Sequence, residues 1–273
     1  MLTHSELERI ANELRIDIIK AIYNAKSGHP GGSLSAIDII TYLFFNEIKR
    51  TPENAFDPDR DRFVLSKGHG VPALYAVLAR LGLIEYNELM NLRKLGSRTQ
   101  GHPSYQDLPY VEASTGSLGQ GLSIAIGIAI AGKLDKKNYN VYCMIGDGEM
   151  QEGQIWEALM SAPKFKLDNL CVILDYNKSQ IDGYIKDVMD LEPIESKLTA
   201  FRWNVMEIDG HDFDEIEKAI QTFKKILDKP SFIIAHTIKG KGVSFMEDNI
   251  EFHGRAPNEK EFEQALIELQ KLL

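Results

Sequence analysis

The chain has 273 residues, of which 44% are hydrophobic and 26% charged, a composition typical of a folded protein and unlike that of a disordered or fibrous one. Its 31 lysines and arginines against 40 aspartates and glutamates give a formal net charge of −9. So acidic a chain lacks the basic surface that nonspecific nucleic-acid binding needs. Because the net negative charge of the protein repels anions, an anionic ligand must be held by a local set of hydrogen-bond donors or cations.

Neither a signal peptide nor a membrane span is expected. The first ten residues, MLTHSELERI, are mostly charged or polar, whereas a signal peptide needs an apolar core. The longest apolar run, from Gly121 to Gly132, is shorter than the roughly 20 residues that cross a bilayer. Cys143 and Cys171 lie in apolar runs and are expected to be core thiols in a reducing compartment. We therefore expect a cytoplasmic protein.

Helices are predicted from the spacing of apolar residues. The first covers 5–25, where Ser5 and Glu8 have the spacing of a capping box. Ser35 and Asp38 have the same spacing and predict the start of a second helix. Further helices are predicted over 71–80, 118–134, 153–165 and 212–227, and from Asn258 onward.

Short apolar runs between these helices predict buried strands at Arg62–Ser66, Asn140–Ile145, Asn169–Asp175, Asn204–Ile208 and Ser231–His236. Their nearly continuous Val, Ile, Leu and Cys content suits a parallel sheet that is covered on both faces. The alternation of helices and strands therefore predicts the α/β class, with a doubly wound, mainly parallel sheet and helices on both faces. Ligands of such sheets bind beyond the carboxyl ends of the strands.

Two strand ends carry oxygen ligands. The second predicted strand runs into Gly146-Asp147-Gly148-Glu149, and the third ends before Asn177. Thirty residues separate Asp147 from Asn177, one strand–helix–strand unit, which would bring the two side by side. A carboxylate, an amide oxygen and backbone carbonyls form a Mg²⁺ or Ca²⁺ shell that phosphate oxygens complete. A Gly-Asp-Gly alone is also typical of a tight turn.

Histidines in turns give a second signal. Five of the seven adjoin a glycine: His29, His69, His102, His211 and His253. A loop histidine can donate, accept or shuttle a proton, although any one of them can be purely structural. Together they predict a shared pocket. Their spacing does not fit zinc ligands.

The segment Ser114–Gly121 is a small, glycine-rich loop that leads into a predicted helix. Exposed N–H groups at a helix start favour an anion or close contact with a flat ligand. A plain helix start with packing glycines is the alternative.

These motifs together resemble transketolase. The matching text is Ser-Gly-His-Pro-Gly-Gly, Ser-Lys-Gly-His-Gly, Gly-His-Pro, Thr-Gly-Ser-Leu-Gly-Gln-Gly, Gly-Asp-Gly-Glu-Met-Gln-Glu-Gly and His-Gly-Arg-Ala-Pro, in this order from His29 to about Pro257. The resemblance implies a thiamine-diphosphate-binding fold, the cofactor thiamine diphosphate, and Mg²⁺ (or Ca²⁺ or Mn²⁺ in its place). The metal would be held by Asp147, Asn177 and the main-chain carbonyl of Ser179.

The resemblance also implies roles for the remaining residues. Cofactor contacts are expected from His69, Gly116, Ser117, Leu118, Gly146, Asp147, Gly148, Glu149, Asn177, Ile181 and His253. Catalytic roles are expected for His29 and His102 beside the sugar, His253 near the reacting carbons, and Glu152 near the subunit interface. Lys239 and Lys241 add positive charge nearby without an assigned role.

The implied activity is transfer of a two-carbon ketol unit from a ketose to an aldose, sugar phosphates of the pentose phosphate pathway or of a specialised sugar pathway. Complete transketolases continue with a pyrimidine-binding and a C-terminal domain. Residues 1–273 are therefore expected to be one diphosphate-side domain. A partner chain would supply the pyrimidine pocket, in a heterotetramer with two copies of each chain.

Two alternatives remain open at this point. The chain could belong to another thiamine-diphosphate enzyme, similar to a deoxyxylulose-phosphate synthase or to the alpha chain of a 2-oxoacid dehydrogenase. It could also be a cofactor-binding component without catalysis. Gln151-Glu152-Gly153 and the Gly-His loops favour transketolase.

Overall fold

The computed structural model describes residues 1–48 and 50–273. Its strands are β1 Arg62–Leu65, β2 Val141–Gly146, β3 Leu170–Tyr176, β4 Ser179–Gln180, β5 Gly183–Tyr184, β6 Asn204–Asp209 and β7 Ser231–His236. Its α-helices are α1 His4–Ala25, α2 Pro30–Tyr42, α3 Val71–Arg80, α4 Tyr86–Met90, α5 Gln120–Leu134, α6 Gly153–Lys164, α7 Ile185–Val188, α8 Ile194–Ala200, α9 Phe213–Phe223 and α10 Glu259–Gln270. All five predicted strands are present, each within two residues of its expected ends.

The strands form one parallel sheet in the order β1-β2-β3-β7-β6, with β4 and β5 in a small separate hairpin. Side chains alternate between its two faces: Tyr142 and Met144 join one apolar core, Cys143 and Ile145 the other. Helices α1, α2, α3, α9 and α10 supply the first core, and α5, α6 and α8 the second. The doubly wound α/β prediction is thereby confirmed.

Both predicted capping boxes are wrong. The first helix is capped by Thr3, whose side chain accepts from the amide of Glu6 while Glu6 bonds back to Thr3. The second begins at Pro30, which suits a first turn because it needs no N–H partner there. Ser35 and Asp38 consequently lie inside α2, where both are buried and bond to distant residues.

Burial in this fold bears on two further expectations. Cys143 and Cys171 are fully buried free thiols, as predicted. Across 1–48 and 50–273, none of the helices combines the length and apolar character that a bilayer span requires.

Candidate active site

A cavity of about 250 Å³ lies at the carboxyl ends of β1, β2, β3 and β7. Most of the predicted site residues line it: His29, His69, His102, Gly116, Leu118, Gly146, Asp147, Gly148, Glu149, Asn177, Ser179, Ile181 and His253. Four further lining residues are Gly32, Lys67, Gln180 and Lys239. Residues from the whole length of the chain therefore meet at one edge of the sheet.

Asp147 begins the loop after β2, and backbone amides hold its carboxylate. The N–H of Gly148 donates to Oδ1 at 2.8 Å, and the N–H of Lys178 donates to Oδ2. Burial and the nearby Asp175 carboxylate raise the pKa of Asp147 to about 7. A bound cation would oppose both effects, so this carboxylate suits a site with positive charge beside it.

Asn177 lies at the adjacent strand end, as the thirty-residue spacing predicts. Its Oδ1 accepts from the N–H of Ser179 at 3.2 Å, and its Nδ2 donates to Asp175 at 3.2 Å. By accepting from Nδ2, the buried carboxylate of Asp175 fixes the Asn177 amide with its oxygen directed away from Asp175. This orientation is the one that a cation ligand needs.

A buried polar cluster behind the cavity centres on Asp175, which is completely inaccessible to solvent. Its carboxylate accepts from Lys67 Nζ, Ser35 Oγ, Thr237 Oγ1 and the amide of Asn177. Burial raises the pKa of Asp175, but the Lys67 ammonium and the hydroxyls of Thr237 and Ser35 outweigh it and keep the pKa below its ordinary value. A buried carboxylate with this many donors stays ionised and rigid.

Lys239, in the loop after β7, brings a second buried cation to the same place. It is 1% exposed, and its Nζ lies 3.1 Å from the carbonyl oxygen of Ser179 and 2.9 Å from Nδ1 of His253. Burial lowers its pKa to about 8. A carbonyl oxygen has two lone pairs, so the Ser179 carbonyl keeps one for a metal ion.

Four of the five glycine-flanked histidines meet, as predicted. Ring centroids of His29 lie 5.2 Å from His69, 6.4 Å from His102 and 5.6 Å from His253, and His69 lies 5.3 Å from His253. The fifth, His211, does not join them: it follows the edge strand β6 and bonds to Asp38 instead.

Burial keeps these four histidines neutral. It lowers the pKa of His29 to about 4, helped by Arg93, and that of His253 to about 3, helped by Lys239. Burial likewise lowers the pKa of His69 and of His102. Each neutral ring carries one N–H and one acceptor nitrogen.

Neighbouring cations determine which nitrogen carries that proton. Arg93 Nη2 lies 3.3 Å from Nδ1 of His29, and Lys239 Nζ is next to Nδ1 of His253. Arginine and a charged lysine only donate, so both Nδ1 atoms are acceptors. The N–H of each ring is therefore on Nε2.

The glycine-rich loop packs against the same wall. A Cβ on Gly116, whose φ is +154°, would lie 3.2 Å from the ring of His102. The N–H of Gly119 donates to Glu149 at 2.9 Å, and Glu149 also accepts from Ser66 and Gly146. Glu149 therefore ties the loop to the ends of β1 and β2.

Two predicted residues lie outside the cavity. Ser117 and Glu152 are exposed and do not line it. Their roles stay predictions that depend on a partner chain. Sequence reasoning in turn missed Lys67, Asp175 and the placement of Lys239; the one available signal was a charge at the end of an otherwise apolar strand.

The donor set fits a hard cation better than a transition metal. In the described part of the chain, His, Cys, Asp and Glu form no cluster of three or more that could hold a metal ion. One carboxylate, one amide oxygen and one carbonyl suit Mg²⁺ if phosphate oxygens complete the shell. Residues 7–270 match the family model "Transketolase, thiamine diphosphate binding domain".

The chain belongs to the transketolase family. It is 44% identical over 266 residues to the 6-deoxy-6-sulfo-D-fructose transketolase subunit SqwG of Clostridium sp. (strain MSTE9), covering 97% of both chains. It is 42% identical to an apulose-4-phosphate transketolase subunit of Phocaeicola vulgatus, covering 97% of this chain and 94% of the relative. Among solved structures, the transketolase of Campylobacter jejuni superposes with a TM-score of 0.92 at 35% identity, over 99% of this chain and 43% of that one.

Proposed function

We propose that the chain is the N-terminal subunit of a two-subunit transketolase that transfers a two-carbon ketol unit from a ketose to an aldose. The observation that carries this proposal is one cavity that joins the Asp147–Asn177 pair to Lys239 and four neutral histidines. Family membership and the full-length match to two transketolase subunits support it. Residues 1–273 would form one diphosphate-side domain.

In this proposal Asp147, Asn177 and the carbonyl of Ser179 hold Mg²⁺ against the diphosphate of the cofactor. When bound, thiamine diphosphate supplies a thiazolium that stabilises the carbanion formed when the ketose is cleaved. Lys239 faces the same end and offsets the charge of phosphate oxygens. The net charge of −9 makes such a local cation necessary.

The histidines act on the sugar. His29 presents Nε2–H to hydroxyl or carbonyl oxygens, because Arg93 occupies its Nδ1. His102, 6.4 Å from His29, is placed to hydrogen-bond the same substrate. Through its Nε2–H, His29 can stabilise negative charge that develops on a substrate oxygen. A neutral ring whose acceptor nitrogen is free can also take up a proton, as general acid–base catalysis requires. His69 and His253 lie between these residues and the metal end.

A partner chain is part of the proposal. Four apolar side chains of the β4–β5 hairpin and the segment directly after it are exposed: Ile181 by 64%, Tyr184 by 43%, Val188 by 41% and Met189 by 61%. Ile181 also lines the cavity. Exposed apolar surface beside a site is typical of an interface. The partner would cover this rim and supply the pyrimidine pocket, and two copies of each chain would give a closed symmetric assembly.

The test is to compare the purified chain with a co-expressed complex. With Mg²⁺, thiamine diphosphate and a ketose/aldose pair, the complex should transfer two carbons and the chain alone should not. Robust turnover by the chain alone contradicts the split-enzyme proposal. Release of CO₂ from a 2-oxoacid by the complex, without ketose cleavage, contradicts the transketolase activity. Panels of sugar phosphates and of unphosphorylated sugars would then define the substrate.

A further inference from the structure

A network of hydrogen-bonded side chains outside the cavity joins α1, α2 and the loop after β6. Arg15 Nη2 lies 2.5 Å from Asp38 Oδ2, and His211 Nδ1 lies 2.6 Å from the same oxygen. The N–H of Ile238 donates to His211 Nε2 at 2.9 Å. The Arg15 and Asp38 side chains are 4% and 6% exposed, and that of His211 is 11% exposed.

Donors and acceptors can be assigned in only one way along these hydrogen bonds. Burial raises the pKa of Asp38, but Arg15 and His211 outweigh burial and hold the pKa below its ordinary value. Asp38 is therefore an ionised carboxylate that only accepts. His211 must donate from Nδ1, which leaves Nε2 without a proton and free to accept from Ile238.

This arrangement holds the loop after β7 from both ends. Ile238 is bonded to His211, and Arg15 Nε donates to the carbonyl of Lys241 at 3.2 Å. Between them, Gly240 has a φ of +80°, and a Cβ there would lie 2.3 Å from the carbonyl oxygen of Met246. The backbone is thus fixed on both sides of Lys239.

We infer that His211, held by Asp38, is a positioning residue that directs the Lys239 ammonium into the cavity. The inference rests on the proposed function, in which Lys239 faces the diphosphate. Its specific prediction is that His211, although it lies outside the cavity, controls cofactor affinity through Lys239 and through no other route.

The first experiment measures the dissociation constant of thiamine diphosphate at saturating Mg²⁺ on the co-expressed complex, in which the proposed cofactor site is complete. His211→Ala should weaken binding about tenfold or more, as is typical when a residue that orients a ligand is lost. His211→Gln keeps one donor and one acceptor and should restore most of the affinity. His236→Ala is the matched control. His236 is a histidine at the end of β7 whose side chain bonds to Glu207, so its loss should leave the cofactor affinity unchanged.

The second experiment is a double-mutant cycle with Lys239→Met. If His211 acts through Lys239, His211→Ala should add little to the loss already caused by Lys239→Met. If the losses of affinity in the two single variants multiply in the double variant, the inference is overturned. It is also overturned if His211→Ala lowers the melting temperature of the cofactor-free chain but leaves the dissociation constant unchanged. If the co-expressed complex without substitutions neither binds the cofactor nor is stabilised by it, the proposed function itself fails and this inference with it.

Discussion

The two ends of the cavity are built in different ways. At the metal end, Asp147, Asp175 and Asn177 are each held by hydrogen bonds, several of them from backbone N–H groups. At the other end, four histidine rings contact one another, and His29 makes one side-chain hydrogen bond within the described residues. The first end is preorganised to fix charge, and the second keeps N–H groups and lone pairs available for a substrate that changes during the reaction.

The largest effect is expected from breaking the metal end. Asp147→Ala should abolish the stabilisation that thiamine diphosphate with Mg²⁺ gives, because a ligand that binds only the folded state adds about 2.7 kcal/mol at a hundred times its dissociation constant. Thermal unfolding with and without both ligands measures this. Asp182→Ala, at an exposed position of the β4–β5 hairpin, is the control. A full cofactor-induced shift in Asp147→Ala would disprove the metal assignment.

The second prediction tests the other end. His29→Ala and His102→Ala should each lower turnover by about 10²- to 10⁴-fold, the usual cost of losing a general acid–base group or a hydrogen-bond donor to developing charge. Cofactor affinity should stay near normal, since the proposed cation ligands are Asp147 and Asn177. The measurement is kcat of the assembled enzyme beside the cofactor dissociation constant. Weakened cofactor binding with normal turnover at saturation would reverse the assignment.

The smallest effect is a pH dependence of stability from the histidine end. Burial lowers the pKa of His29 to about 4 and of His253 to about 3, below the ordinary value of 6.5. The unfolded chain therefore binds protons first as the pH falls, and stability is lost from about pH 6.5 downward. After allowance for solvent screening we expect a loss on the order of 1–2 kcal/mol by pH 4.5.

Urea unfolding of the cofactor-free chain at pH 4.5, 5.5, 6.5 and 7.5 measures this slope. The double variant His29→Gln/His253→Gln removes two of the four histidines whose pKa burial lowers, and should make the curve shallower in this range. An equally steep curve in that variant would show that other groups cause the acid sensitivity.

Much of the fold and most of the cavity lining were predictable because their signals are local. Apolar runs locate the strands. A Gly-Asp-Gly or an Asn at a strand end indicates a candidate cation ligand even when the residues that contact it are unknown. The helix start predicted at Ser35 and Asp38 was wrong because a capping-box spacing also occurs inside a buried helix. Their real partners, Asp175 and Arg15, are 140 and 23 residues away.

The residues that sequence reasoning missed are those defined by distant contacts. Lys67 and Asp175 form a buried pair across 108 residues, and each by itself is an ordinary polar residue at a strand end. His211 has the same Gly-His pattern as the cavity histidines. Its strand, however, is at the far edge of the sheet, a position set by strand order rather than by any local motif.

The strand register described above makes the site depend on the sheet as a whole. Gly146 pairs with Asp175, and Asp175 pairs with Ala235. A slip of one residue in β3 would turn Asp175 to the opposite face and carry Asn177 out of reach of Asp147. Fragments that lack any of these three strands should therefore have no partial affinity for the cofactor, and ligand binding can serve as a direct test of whether the central sheet has formed correctly.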